Sequence, residues 1–189
     1  MRVISKEIYE KEKQQLLSRI QEGAVFIYPT DTIYGIGCDA TDPEAVMTLR
    51  RIKKRDKKPF SVIAPSKIWI TQNCHVPDKT WLDKLPGPYT FILRLKNKDA
   101  VCSEVNPLDN GTLGVRIPNH WIREIPALLG SPLVTTSANI LGEDFMTNLE
   151  DLNETVNNEV DFIIYEGEKK QRPSKIVDMT KEKVIIIER

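Results

Sequence analysis

With 189 residues, 40% of them hydrophobic, the chain is long enough to bury about 70% of its unfolded surface without help from a metal or disulfide. Its 27 Lys+Arg against 27 Asp+Glu give a net charge of +0, which excludes a general affinity for nucleic acid or anionic membranes and leaves only a local one. The cysteines Cys38, Cys74 and Cys102 form no CxxC pair, and no stretch approaches the roughly 18 apolar residues of a membrane span. A zinc site, a disulfide framework, a signal peptide and a transmembrane helix are therefore not expected, and the chain reads as a cytoplasmic protein of one domain, 1–189.

In chain order, Ser5 is placed to cap a helix from 6 to about 21, with Ile8, Leu16, Leu17 and Ile20 roughly on one face and Gly23 as its stop. Residues 24–28 read as a buried strand closed by Pro29. Thr30-Asp31-Thr32 and the glycines Gly35 and Gly37 follow, where backbone can approach a ligand closely. Asp42-Pro43-Glu44 supplies an N-cap, a proline at the first helical position and an acid in the first turn. The apolar face Ala45, Val46, Leu49 and Ile52 leaves Arg50, Lys53 and Lys54 at or beyond the last turn of that helix.

Residues 60–64 read as the next strand, and 66–85 as a short helix plus a second around Trp81, Leu82 and Leu85. After Pro86-Gly87-Pro88 come a strand at 89–95, a polar loop at 97–111 and a strand at 112–117. A helix at about 120–129 carries Pro126 inside it. A strand at 132–136 then runs into Ser137-Ala138-Asn139, a helix covers 149–157, and strands cover 160–165, 176–179 and 184–188. Seven or eight strands interleaved with four or five helices predict an α/β fold with a mixed sheet, its late strands including antiparallel pairing.

The familiar nucleotide and metal motifs are missing: GxxxxGK[ST], GxGxxG and HExxH do not occur, and His75 and His120 stand alone. Seven of the nine residues from Arg50 to Lys58 are basic. A strand ending in small polar residues and feeding a helix that delivers cations is a common phosphate handler; the plainer alternative is a solvated helix end. Arg116, between Val115 and Ile117 on a strand, costs stability unless it faces a cleft or an acid. Ser137 and Asn139 suit a turn that bonds its own backbone, and equally suit phosphate oxygens or a metal-bound water.

Taken in series, PTDTIYGIGCDA, Lys53-x-Arg55, Gly87-Pro88-x-Thr90, Gly114-Val115-Arg116-Ile117-Pro118, Thr136-Ser137-Ala138-Asn139 and Pro173-Ser174-Lys175-Ile176-Val177-Asp178 resemble successive motifs of the YrdC/TsaC/YciO family, over nearly the whole chain. The resemblance implies an open twisted α/β sheet with flanking helices and a large basic cavity, in the short form without an extra C-terminal domain. For the catalytic branch it implies an L-threonylcarbamoyladenylate synthase, a nucleotidyltransferase. Such an enzyme uses L-threonine, bicarbonate or carbon dioxide, and ATP with Mg²⁺, and releases pyrophosphate. A separate threonylcarbamoyl transferase complex consumes the product to modify adenosine in tRNA.

By motif, the resemblance places Lys53, Arg55, Ser137 and Asn139 in the catalytic and ATP-binding set, with Thr112 beside the nucleotide and Arg189, whose spacing slips by one, on the nucleotide side. Thr32, Arg116, Thr135 and Ser174 would hold threonine, with Asp31 orienting, and Mg²⁺ would be bound mainly through ATP phosphates. Three positions depart from the pattern: Lys58 stands where an Asn is usual, Ile63 where a His, and Phe145 where a Ser. These lean toward a YciO-like nucleotide or RNA-binding protein, taking tRNA or double-stranded RNA, without synthase activity. The intact Lys53-x-Arg55 and Ser137-x-Asn139 favour the synthase.

Overall fold

The computed structural model describes residues 2–140 and 142–188. It opens with strand β1 (Arg2–Ile4), helices α1 (Lys6–Lys11) and α2 (Lys13–Gln21), strands β2 (Phe26–Tyr28) and β3 (Gly35–Gly37), and helix α3 (Pro43–Lys53). Strand β4 (Ser61–Ile63), helix α4 (Lys67–Asn73) and strands β5 (Cys74–His75), β6 (Tyr89–Leu95) and β7 (Thr112–Arg116) come next. Helix α5 (Glu124–Leu129), strand β8 (Leu133–Ser137), helix α6 (Glu154–Glu159) and strands β9 (Phe162–Ile164), β10 (Lys175–Asp178) and β11 (Ile185–Ile187) follow in turn. Short 3₁₀ turns at Lys79–Lys84, Lys98–Ala100, Ser103–Val105 and Trp121–Arg123 fill the connections.

The strands form one mixed sheet in the order β1-β9-β2-β3-β8-β4-β7-β6-β10-β11, with β5 paired to β6. Pairing is parallel at β1/β9, β2/β9, β4/β7 and β6/β10 and antiparallel elsewhere, including the late pair β10/β11 that the sequence predicts. Alternation sorts the side chains onto two faces. Val25, Ile27, Ile36, Val62, Val115, Val134 and Val177 are fully buried against Val46, Leu49 and Ile52 of α3, Ile70 of α4 and Val156 of α6. On the opposite face Phe26, Tyr28, Ile63, Leu133, Phe162 and Ile164 lie under Tyr9, Leu16, Leu17 and Ile20 of the first two helices and Ile125 of α5. That second cover stops at Ile63 and Leu133, so the same face of β7, β6 and β10 has no helix of this cluster over it.

Several expected elements change shape. The first helix divides at Glu12, whose carboxylate takes both arms of the Arg2 guanidinium at 2.6 and 2.7 Å. The expected helix at 149–157 begins only after Asn153, which caps Thr155. Upstream, Asp151 accepts from Thr147 and Asn148 and holds a turn instead. Strands β1, β3 and β5 are additions to the expected set. In β3 the sequence Gly-Ile-Gly hides the strand because glycine is poor in strand propensity, yet a Cβ on Gly37 would fall 1.8 Å from the Val134 carbonyl oxygen, so only glycine fits. Asp42 caps α3 as read, accepting from Glu44 at 2.9 Å and Ala45 at 3.1 Å. Lys54 ends the helix in the left-handed region at φ 48.

Candidate active site

Register decides which residues meet. Ser61 of β4 stands opposite Gly114 of β7 and Thr135 of β8, Ile63 opposite Arg116, and Ser137 opposite Gly35 of β3. Thr112, Gly114, Arg116, Ser61, Thr135 and Ser137 therefore share one face, and Thr90 joins them through the pairing of Ile92 with Gly114. This is the face whose helical cover ends at Ile63 and Leu133.

The C-terminus of α3 brings two cations to the Ser137 end. Lys53 is 2% exposed, and its Nζ donates to the carbonyl oxygens of Ser137 (2.6 Å) and Asn139. Burial first, and the Arg55 charge second, push its pKa down to about 7, while Glu143 pulls the other way. Arg55 donates to the carbonyls of Lys58 (3.1 Å) and Pro59 and to Thr136 Oγ1 (3.2 Å), with its guanidinium 4.8 Å over the Phe60 ring. Asn139, 7% exposed, gives its amide N–H groups to Ile140 and Glu143 carbonyls at 2.8 Å. Its Oδ1 is buried without a hydrogen bond among the described residues.

The basic run is not uniform. Arg50 is buried and donates to five backbone carbonyls, those of Arg55, Asp56, Lys58, Glu104 and Val105, and stacks over Phe60 at 4.5 Å. It is a staple between the 55–58 loop and the 103–105 turn rather than a cation offered to a ligand. The Lys58 carbonyl accepts from both arginines, so this loop uses the Lys58 backbone, and Ile63 is fully buried in the apolar cluster where a histidine is usual. Phe145 is exposed.

At the other end of the face Arg116, 6% exposed, donates from Nη2 to Asp31 Oδ1 at 2.5 Å, and Asp31 Oδ2 accepts from the Asn119 amide at 2.8 Å. Burial lowers the Arg116 pKa, and Asp31 opposes that shift. Its Nε is buried with no hydrogen bond among the described residues. Thr30 donates to the Ile33 carbonyl (2.7 Å) and lies 3.0 Å from Thr32 Oγ1; the Thr32 hydroxyl is therefore the donor of that pair and keeps its lone pairs. Ser174, 2% exposed, shares a 2.8 Å bond with Thr90, which is also buried.

Of the residues read from sequence, Lys53, Arg55, Ser137 and Asn139 come together, as do Arg116, Asp31 and Thr32, with Thr135 on β8 two residues before Ser137. Thr112 lies at the opposite end of β7 from Arg116, about 13 Å along the strand, where its hydroxyl donates to Asn110 Oδ1 at 2.7 Å. Arg189 falls outside the described residues. Sequence reasoning had Thr136 and Thr90 within motifs but gave them no partner, where the structure bonds Thr136 to Arg55 and Thr90 to Ser174 across 84 positions, and it passed over Ser61. It also missed the partner of His120, whose Nδ1 accepts from the Ile122 amide, so that Nε2 donates to Glu166 at 2.7 Å. A hydroxyl flanked by apolar strand residues, as in Phe60-Ser61-Val62, was the available signal for Ser61.

Comparison with known proteins gives this geometry a family. The Sua5/YciO/YrdC family model, whose description is telomere recombination, matches residues 18–189. A Methanocaldococcus jannaschii protein assigned as a threonylcarbamoyl-AMP synthase is 35% identical, the match covering 96% of this chain and 88% of that one. YciO of Escherichia coli, itself uncharacterized, is 27% identical over 92% of this chain and 86% of its own. The crystal structure of P. abyssi Sua5 with L-threonine superposes with a TM-score of 0.86 at 25% identity; the match covers 98% of this chain and only 56% of that longer one. With the family model matched over residues 18–189, the chain belongs to the Sua5/YciO/YrdC family.

Proposed function

We propose that the chain is a threonylcarbamoyl-AMP synthase, making threonylcarbamoyl adenylate from L-threonine, bicarbonate-derived carbon dioxide and ATP. The observation that carries this reading is two unlike cationic groups gathered around the end of β8 and the polar face: Lys53 held by the carbonyls of Ser137 and Asn139 where β8 ends, with Arg55 bonded to Thr136 beside it, and Arg116 paired with Asp31 on the polar face. The M. jannaschii relative carries the same assignment, and the P. abyssi structure holds L-threonine.

The chemistry then divides between the ends. The threonine nitrogen attacks carbon dioxide and loses a proton, giving a carbamate. A carbamate oxygen bonds to the α-phosphorus while the bond from that phosphorus to the bridging oxygen breaks and pyrophosphate leaves with the electron pair. Such a displacement needs positioning and charge neutralisation more than a proton shuttle. Lys53 and Arg55 neutralise the triphosphate, which competes with the Ser137 and Asn139 carbonyls for the Lys53 ammonium and, by its charge, keeps that group protonated. Ser137 and Asn139 line the same end. Arg116 binds the amino-acid carboxylate, a charge-assisted bond worth about 1.5–3 kcal/mol. The Thr32 lone pairs accept from the amine, and Thr135 and Ser174 close that pocket. Magnesium arrives with the nucleotide as part of the substrate. The enzyme acts as one cytoplasmic domain with a basic cavity and passes its product to a transferase complex acting on tRNA.

Purified chain supplied with ATP, Mg²⁺, bicarbonate and L-threonine is expected to release pyrophosphate only when threonine is present. A YciO-like reading, binding nucleotide or RNA without synthesis, is favoured by the resting engagement of Lys53 and by Ile63 and Phe145. It gains if release is absent and RNA binding falls steeply with salt.

A further inference from the structure

Ser61 sits midway across the polar face. Its strand, β4, is flanked by β8, carrying Thr135 and Ser137, and by β7, carrying Gly114 and Arg116, each about 4.8 Å away. The helical cover of this face ends two residues along at Ile63, and Ser61 itself is only partly buried. Gly114 makes room for it: a Cβ at 114 would fall 2.4 Å from Ser61 Oγ and 3.1 Å from its Cβ. The Ser61 hydroxyl forms no hydrogen bond among the described residues, whereas Thr90, farther along the same face on β6, shares one with Ser174. A polar group left unpaired and standing on a ligand face is available to bind.

We infer that Ser61 is a ligand-binding residue of this site, its hydroxyl donating to the carbamate that joins the amino acid to the α-phosphate. The inference rests on the synthase reading. If the carboxylate is held at Arg116 and the triphosphate at Lys53 and Arg55, the group linking them crosses the strand between those ends, and that strand presents Ser61. Carbon dioxide brings no charge for a cation to hold, so a neutral donor at this point suits an oxygen that becomes anionic only as the carbamate forms.

The test is Ser61→Ala, which removes one oxygen and demands no repacking. Expected is a kcat/KM for bicarbonate about tenfold lower, with the affinities for threonine and for ATP, each measured alone by calorimetry, unchanged. A second variant, Gly114→Ala, displaces the hydroxyl and is expected to mimic that loss. Bicarbonate kinetics unaltered in Ser61→Ala, or a loss confined to threonine or ATP affinity, overturns the assignment of Ser61 while leaving the synthase reading intact. Wild-type chain with no threonine-dependent pyrophosphate release overturns the synthase reading, and the role of Ser61 with it.

Discussion

The two cationic groups of the candidate site solve the burial of positive charge in different ways. Arg116 is neutralised by a carboxylate of the chain itself, Asp31, with both side chains nearly enclosed. Lys53 is met by the partial charges of two carbonyl oxygens, and the Arg55 charge beside it works against its own. The first end is close to neutral at rest and can exchange one carboxylate for another at little electrostatic cost. The second is suited to a polyanion that brings several negative charges at once.

The largest expected effect comes from breaking the compensated end. Arg116→Ala leaves Asp31 unpaired and enclosed and is expected to cost about 3–5 kcal/mol in urea denaturation, with turnover lowered at least about 100-fold. The double variant Arg116→Met, Asp31→Leu should regain most of the stability and none of the turnover, because it removes both charges and the ligand group together. Stability as low in the double variant as in the single one would mean that the pair is not what Arg116 supplies to the fold.

Next comes a contrast between two arginines stacked on the same ring. Arg50→Ala loses bonds to five carbonyls and is expected to cost about 3 kcal/mol. Arg55→Ala loses bonds to two carbonyls and to Thr136 and is expected to cost less, about 1–2 kcal/mol, while losing at least about 100-fold in pyrophosphate release. Equal losses of stability would erase the distinction between staple and ligand.

Lys53 adds a pH signature to its part of the site. Its pKa of about 7 in the fold, against an ordinary 10.5, means that the unfolded chain binds this proton more tightly between those values, so stability from this group rises as pH climbs from about 7 toward 10.5. Lys53→Met is expected to flatten that slope. Above pH 7 the wild type should take up protons on binding pyrophosphate, read as a buffer-dependent calorimetric heat. The smallest change is at the helix end: Lys54→Gly relieves a left-handed residue and is expected to stabilise by about 1 kcal/mol in thermal melting.

Local signals were readable and distant ones were not. The cap at Asp42 and the strand β6 follow from neighbours in sequence, and β6 falls where its alternation placed it. The strand β3 was hidden because its second glycine answers to Val134, nearly a hundred residues away. In the site, the motif residues were visible as types, but their partners were not: Asp31 meets Arg116 across 85 positions, and nothing local tells Arg50 from Arg55. Identical chemistry a few residues apart at a helix end takes its meaning from whichever backbone the fold brings alongside.

The Arg50 staple also ties a helix end that can form locally to a turn far away in the chain. Helix α3 carries its own cap and apolar stripe and can form from nearby residues, but the carbonyls of Glu104 and Val105 that fix Arg50 come from 54 and 55 positions downstream. Closing that loop is slow compared with forming the helix. Because Arg50 also bonds the nearby carbonyls of Arg55, Asp56 and Lys58, the loop after α3 can take shape from its own neighbours, and docking of the 103–105 turn then completes the staple.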